Sequence, residues 1–528
     1  MPAGARTVVT ALDEAAPKEF YYGTELVGST LTVRELSGGS VSGPIESTPP
    51  VQPPENAVPP QESGPTEPTE PADDHIYGSV DPGNSVVLPI ELLENVTDLE
   101  TAVSAVQTAA ADMTGEQRQS PTGIDLVTLY AEEAVAQAAS MAVSGDIVVN
   151  QSNVQDLQTK AMEVRNAAEQ SLSSNNVAIQ RQLQADVNFK TDSTASVTIR
   201  IEPSAANTTA DNVRIETPAY IISLSAESIK ENTGDSPLII TISQSGTVSQ
   251  TSSDASSRPL APLVSPGIEL LPASAQTTYT VTFNKPVSEN VRISLPPASG
   301  DPTYQAVVNS AGNPVGGKYN PVTNKIEAKI IDSGTYTVKD NRKDFTDITT
   351  KSREMQNAIN VLASKGIING TSATTFSPDS PINRAEIAAL IVRTLSKLDP
   401  NADGGFNDVL RSDWYFGAIG SAKRYGIING MTDTTFAPRS NITKEQIVAI
   451  CARTLRAEMK YRDPADVNAI LSIYADAASI PQWGRADIAL ATRQDIVVRR
   501  TDGRFNGTAT MTRGDAAIIL YRMFMKIW

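Results

Sequence analysis

The last third of the chain contains three copies of one sequence unit. GIING at 366–370 recurs at 426–430, and over 366–395 the first two copies agree at 16 of 30 positions at a shift of 60 residues. The residues of the third copy that match the second, 69 positions earlier, are Trp483, Phe505, Thr512 and Arg522. Repetition at this period predicts three similar units of paired helices that pack on one another.

The second helix of each copy begins with a predicted capping box, in which side chains satisfy backbone N–H groups at the helix start. The pairs are Asn383 with Glu386, Thr443 with Gln446, and Thr512 with Asp515. The next residue after the capping residue is always a cation, namely Arg384, Lys444 or Arg513. A helix start already carries roughly +0.5 charge, so a cation there is slightly unfavourable.

Recurrence of this cation in all three copies indicates a common function. Free N–H groups and a cation together would form an anion site suited to a carboxylate or a phosphate. The alternative is a solvated surface cation that costs little free energy.

The motifs resemble those of the S-layer homology (SLH) module, whose signature is similar to F-x-D, W-Y, G-I-x-x-G, T-F-x-P and I-T-R-A-E. Their counterparts in this chain lie at 406–408, 414–415, 426–430, 435–438 and 382–386. The resemblance covers about 342–528. It implies a pseudo-trimeric prism of three modules, whose grooves bind the secondary cell-wall polymer without catalysis, commonly through its pyruvylated amino sugar.

The resemblance also implies a set of polymer-binding residues: Asn383, Thr443, Thr512, Arg384, Lys444, Arg513, Trp414, Trp483, Gly370 and Gly430. The three cations would contact the ligand's carboxylate, each aided by N–H groups at its helix start. The tryptophans would form groove walls or pack in the core, and the glycines would let sugar approach the backbone or end helices. The aspartates that open the copies would contact sugar hydroxyls or cap helices; these are Asp347, Asp408 and Asp476.

Each copy departs from the family pattern, and the second has Lys444 at the cation position, which lacks the bidentate fork of arginine. The first copy has Glu354 and Met355 where the second has Trp414 and Tyr415, and the third replaces GIING with 495–499. We therefore expect the groove that uses the third turn to be the weakest, and the grooves that use Arg384 and Lys444 to be occupied.

Charge and rare residues restrict the function further. The net charge is -17, yet 342–528 hold 25 Lys and Arg against 19 Asp and Glu. This positive balance favours an anionic partner for the last third, although two modules with different surfaces would also produce it. One histidine and one cysteine, His75 and Cys451, exclude His-cluster metal sites, Cys-based zinc sites and disulfides.

Upstream of the repeats the sequence predicts several smaller parts, and the fold class is multidomain. Alternating strand patterns fill 187–340. The proline-rich sequence at 44–75 cannot build a core. Ala/Val-rich helical patterns lie between these two regions. A capping box is predicted at Thr97 and Glu100. The predicted divisions are a β-module remnant at 1–43, a Pro-rich linker at 44–75, a helical hairpin or spacer at 76–186, Ig-like β-sandwiches at 187–248 and 267–341 joined by a linker at 249–266, and all-α SLH units at 342–400, 401–464 and 465–528.

The sequence thus indicates non-covalent anchoring of an exported bacterial protein to the cell wall or S-layer. We expect a pyruvylated wall polysaccharide as the partner, with other S-layer subunits as a further one, and no catalysis, cofactor, metal, nucleic acid or membrane span. The N-terminus lacks an apolar signal-peptide core, so we expect sequence upstream of it. The alternatives are a wall-attached glycosidase or peptidase whose catalytic domain lies elsewhere, and an adhesin or carbohydrate-binding protein that acts through its β-sandwiches.

Overall fold

A computed structural model describes residues 86–194, 196–245, 277–497 and 501–527, together with the backbone of three N-terminal strands. These strands are β1 (Thr7–Ala11), β2 (Lys18–Val27) and β3 (Thr30–Glu35), and they form an antiparallel sheet in that order. They belong to a first unit, 1–70, and all later elements belong to a second, 71–528. His75 and the predicted linkers at 44–75 and 249–266 lie outside the described residues.

Three helices begin the second unit: α1 (Leu99–Asp112), α2 (Pro121–Ala138) and α3 (Gln151–Ser174). Apolar residues three and four positions apart, from Val154 to Ala168, form a buried seam along α3. The cap predicted for α1 is wrong by one residue. Asp98, not Thr97, is the capping residue, and its Oδ1 accepts a hydrogen bond from the Thr101 N–H at 2.9 Å.

Thirteen strands in the described part of the second unit form two sheets. Their bounds are β4 (Ser140–Ala142), β5 (Ile147–Val149), β6 (Val187–Lys190), β7 (Val197–Ile201), β8 (Asn212–Glu216), β9 (Ile221–Ser225), β10 (Leu238–Ser245), β11 (Thr278–Phe283), β12 (Val291–Leu295), β13 (Gln305–Asn309), β14 (Lys318–Asn320), β15 (Lys325–Ile330) and β16 (Gly334–Asp340). One sheet has the order β13-β16-β11-β10-β7-β5 and the other β14-β15-β12-β9-β8-β6-β4. Helix α4 (Ala226–Thr233) connects β9 to β10.

Two separate sandwiches, as predicted for 187–248 and 267–341, do not occur. Strand β10 pairs with β11 in the first sheet, and β9 pairs with β12 in the second, so both sheets combine strands from both halves. The physical reason is that alternation along a strand fixes which face is buried but not which strand lies beside it.

The predicted helical spacer is also part of this core and not a separate hairpin. Helix α2 is buried along most of its length, and the helices share one apolar cluster with both sheets. The buried Glu133 carboxylate on α2 accepts a hydrogen bond from Arg214 on β8 at 2.8 Å.

The repeats form the helices α5 (Arg353–Ser364), α6 (Arg384–Leu395), α7 (Phe416–Arg424), α8 (Lys444–Met459), α9 (Val467–Leu471), α10 (Arg485–Arg493) and α11 (Arg513–Phe524). The second helix of each repeat packs against the first helix of the next: α6 on α7, α8 on α10, and α11 back on α5. The three repeats therefore close into a ring around one apolar core that includes Cys451.

Buried lysines join this ring to the β-sheets. Lys318 on β14 donates to the Met525 carbonyl at 2.8 Å and the Ile527 carbonyl at 3.0 Å, beyond the end of α11. Lys365, at the end of α5, donates to the Gln305 carbonyl on β13. Burial lowers the pKa of Lys318 to about 8 and that of Lys365 to about 7.

These lysines predict a pH dependence of stability. From about pH 7 up to the ordinary lysine pKa of roughly 10.4, the unfolded chain binds more protons at Lys365 than the folded chain does. The Lys365 contribution to the free energy of unfolding therefore rises with pH across this window. We expect Lys365→Met to reduce the slope by up to about 1.4 kcal/mol per pH unit in urea unfolding.

The matched control is Lys343→Met, because the Lys343 side chain is exposed in the folded protein. Its pH slope should follow that of the wild type. Equal slopes for Lys365→Met and the wild type would contradict the assignment.

Candidate functional site

The starts of α6, α8 and α11 meet at the centre of the ring. The Ile382 N–H donates to the Met511 carbonyl at 3.2 Å, the Met511 N–H to the Ile442 carbonyl at 3.0 Å, and the Ile442 N–H to the Ile382 carbonyl at 3.1 Å. This closed cycle of hydrogen bonds needs all three copies. The capping residues Asn383 and Thr512 accept from the N–H groups three residues on, as the capping boxes predict.

The cation after each cap reaches into the next repeat. Arg384 donates from Nε to the Phe436 carbonyl at 2.9 Å and from a terminal nitrogen to the Asn429 carbonyl at 3.0 Å. Arg513 makes the same two bonds to the first repeat, to Phe376 at 3.1 Å and Asn369 at 2.9 Å. Each guanidinium also lies over the phenylalanine ring, 4.5 and 4.6 Å from its centroid. Lys444 lies 5.2 Å from the centroid of the Phe505 ring.

The first N–H groups of these helices are not free. Those of Arg384 and Ala385 donate to carbonyls of Ser440 and Pro438 in the second repeat, at 3.0 Å each. The corresponding groups of α8 and α11 donate in the same way: Lys444 to Ala509, Glu445 to Gly507, Arg513 to Ser380, and Gly514 to Pro378. The prediction of an anion site built from free N–H groups is therefore wrong, because the next repeat's loop occupies them.

The pairing of each cation with the following repeat corrects the sequence-based groove assignment. Lys444 contacts Phe505 in the third copy's loop, so a cation expected in an occupied groove lies at the boundary with the copy whose groove is expected to be the weakest. Burial lowers the pKa of Arg384 and of Arg513, while Asp408 opposes this effect at Arg384. Arginine remains protonated throughout the physiological range.

The opening aspartates bind the phenylalanine loops. Asp347 accepts from the N–H groups of Phe376 and Ser377, at 2.9 and 2.7 Å. Asp408 accepts from Phe436 and Ala437 and Asp476 from Phe505 and Asn506. Ser377, Ala437 and Asn506 have φ between 53° and 59°, a left-handed conformation that these bonds hold in place.

The two hydrogen bonds to Asp347 have an electrostatic consequence. Burial raises the pKa of Asp347, but hydrogen bonds from the backbone lower it more, so its net pKa lies below the ordinary value. These hydrogen bonds to the phenylalanine loop differ from both functions predicted for the aspartates, which are sugar contact and helix capping.

A cleft of about 200 Å³ is lined mainly by the first repeat, with Trp414 from the second repeat and Arg513 from the third. It contains three of the residues implied by the family resemblance, namely Gly370, Trp414 and Arg513. Glu386 and Arg393, which sequence reasoning missed as site residues, also line it. The cleft therefore combines two cations, one carboxylate and an exposed aromatic ring.

Trp414 is 63% exposed, so it forms a wall of the cleft and is not a core residue. Trp483 is 53% exposed and lies in a 3-10 helix, Gln482–Gly484, that packs against α8. The recurrence of tryptophan at this position in the second and third copies is the sequence signal for an exposed ring.

The glycines at the ends of the two GIING turns are required for packing. A Cβ on Gly370 would lie 2.4 Å from the Ser372 carbonyl oxygen, and one on Gly430 would lie 2.2 Å from that of Thr432. The first glycines of these turns, Gly366 and Gly426, have positive φ values of 72° and 68° and follow the helix ends.

Within the described ranges, no group of His, Cys, Asp and Glu side chains could hold a metal ion. Nor is any described helix long and apolar enough to cross a membrane.

Comparison with known proteins identifies the repeats. The S-layer homology domain family matches residues 344–388, 405–448 and 473–517, so the chain carries three tandem SLH domains. An amylopullulanase of Thermoanaerobacterium thermosulfurigenes is 32% identical over 251 residues, which are 47% of this chain and 13% of that protein.

Two further relatives carry different names. An endoglucanase of Bacillus sp. (strain KSM-635) is 30% identical over 196 residues, 37% of this chain and 20% of that protein. The surface-layer 125 kDa protein of Lysinibacillus sphaericus is 28% identical over 187 residues, 35% of this chain and 15% of that protein. The chain therefore spans a fifth or less of the length of these relatives.

The position of Arg384 predicts a structural effect of its removal. Arg384→Ala leaves the Phe436 and Asn429 carbonyls without this donor, and we expect a loss of about 1–3 kcal/mol in the free energy of unfolding. Arg439→Ala, at an exposed arginine of the second repeat, should change it by less than about 0.5 kcal/mol. Chemical denaturation measures both, and equal stability of the two variants would contradict the structural role.

Proposed function

We propose that this chain anchors a surface protein non-covalently to the bacterial cell wall, and that its SLH domains bind the wall's pyruvylated secondary polymer. The protein's location is then the cell wall or S-layer. The observation that carries the proposal is the cleft on the first repeat, where Trp414 of the second repeat and Arg513 of the third lie in one concave surface.

The chemistry of the cleft suits an acidic sugar. An exposed indole offers a flat apolar face with a polar edge, which matches the mixed surface of a sugar ring. Arg393 and Arg513 supply positive charge for a carboxylate, and 342–528 as a whole carry more basic than acidic residues. Its volume of about 200 Å³ is below the 300–1,000 Å³ typical of drug-sized ligands. A single terminal sugar therefore suits it better than several residues of the polymer.

The relatives support a shared anchoring role and not a shared reaction. An amylopullulanase, an endoglucanase and a surface-layer protein are named for different activities or for none. Their partial matches to this chain cover its SLH region. A function common to proteins with such different names is attachment to the cell surface, and we assign no catalysis to this segment.

The proposal predicts polymer-dependent binding of the full chain to cell-wall sacculi in a sedimentation assay. Trp414→Ala should weaken binding about tenfold or more, because exposed aromatic anchors in interfaces contribute about 2 kcal/mol. It should fold normally, since the side chain lies mainly in solvent.

The controls separate the polymer from the rest of the wall. Ile331→Ala removes an exposed apolar side chain from the β-sheet region and should bind like the wild type. Sacculi stripped of secondary polymer, or treated with mild acid to remove ketal-linked pyruvate, should no longer sediment the protein. Undiminished binding to stripped sacculi would overturn the proposal.

A further inference from the structure

Each repeat has an arginine in the last part of its second helix, at Arg393, Arg453 and Arg522. In two repeats a carboxylate from the following repeat neutralises it. Arg453 pairs with Asp487 at 3.1 Å, and Arg522 pairs with Glu354 at 2.6 Å. These ion pairs close two of the three boundaries of the ring.

The boundary of the first and second repeats has no such ion pair between described residues. There, neither of the two positions that supply a carboxylate at the other boundaries is acidic. The counterpart of Asp487 in the second repeat is Ala418, and the counterpart of Glu354 is Trp414. Arg393 is exposed, lines the cleft, and forms no ion pair with any residue in the described ranges. Glu386, the carboxylate of the cleft, already accepts a hydrogen bond from the Asn383 N–H at 2.9 Å.

The replacement of Glu354 by Trp414 at this position therefore has two effects. It removes the counter-ion of the arginine, and it supplies the aromatic wall of the cleft. At the boundary of the second and third repeats Trp483 is present, but Arg453 is neutralised by Asp487. At the boundary of the third and first repeats Glu354 replaces the tryptophan and neutralises Arg522. In the described part of the ring, an aromatic wall and an unpaired arginine thus occur together at one boundary.

We propose that Arg393 is a specificity-determining residue that binds the carboxylate of the wall polymer's acidic sugar, which makes this cleft the principal one of the three. This inference rests on the proposed anchoring function and deepens it. Two donors of Arg513 are committed to the Phe376 and Asn369 carbonyls. The Arg393 guanidinium makes no hydrogen bond or ion pair with the residues that the structure describes, and its planar fork fits a carboxylate with two parallel hydrogen bonds.

Binding of the full chain to sacculi that carry the pyruvylated polymer tests this assignment. We expect Arg393→Gln to weaken binding about tenfold without a change in melting temperature, because it removes a charge-assisted contact with the ligand and none with the protein. Arg393→Lys should retain part of the affinity, because it keeps the charge but loses the bidentate fork. The advantage of the wild type over Arg393→Gln should shrink as salt is raised.

The matched control is Arg453→Gln, which removes the equivalent arginine at the next boundary. It should lower the melting temperature, because Asp487 loses one of its partners, and leave the affinity unchanged. Wild-type affinity in Arg393→Gln, or an equal loss of affinity in Arg453→Gln, would overturn the role of Arg393 while leaving the anchoring function intact. Failure of the wild type itself to bind would overturn both.

Discussion

The repeat region depends on one interaction, a cation at a helix start that crosses into the loop of the following repeat. Arg384 and Arg513 each donate to two backbone carbonyls of a neighbour and lie over its phenylalanine ring. A buried carbonyl without a hydrogen-bond donor destabilises the folded state. These donors therefore stabilise the loops as well as the closed ring. The unfavourable position of a cation at a helix start is thereby explained, because its charge interacts with carbonyl oxygens outside its own helix.

The same interaction positions the candidate site. Because Arg384 and Arg513 each bind a loop of a neighbouring repeat, each of these two boundaries brings a helix start and a glycine turn together. The boundaries differ in the side chains that they present. An acidic residue at the position of Trp414 would create a third ion pair and remove the aromatic wall, so departures from threefold symmetry decide where a ligand can bind.

Local features of this fold were predictable from the sequence, while contacts between distant segments were not. The capping boxes at Asn383 and Thr512 and the buried seam of α3 follow from spacing along a single helix. The pairing of β10 with β11 joins segments separated by more than thirty residues, and alternation within either strand does not encode it. The sequence identified the three cations as special, but it could not show that Lys444 contacts the third copy and not its own.

Similar reasons explain which site residues were missed. Arg393 matches Arg453 and Arg522 in sequence, and its difference lies in the absence of an acidic partner on another repeat. Asp347 resembles a capping or ligand-binding residue until its two bonds to the loop at Phe376 are seen. A crystal structure of the chain with a short pyruvylated polymer fragment would show whether the cleft binds the sugar. We expect a sugar ring against Trp414, with its carboxylate about 3 Å from the Arg393 guanidinium. A fragment bound on the β-sheets, with this cleft empty, would contradict it.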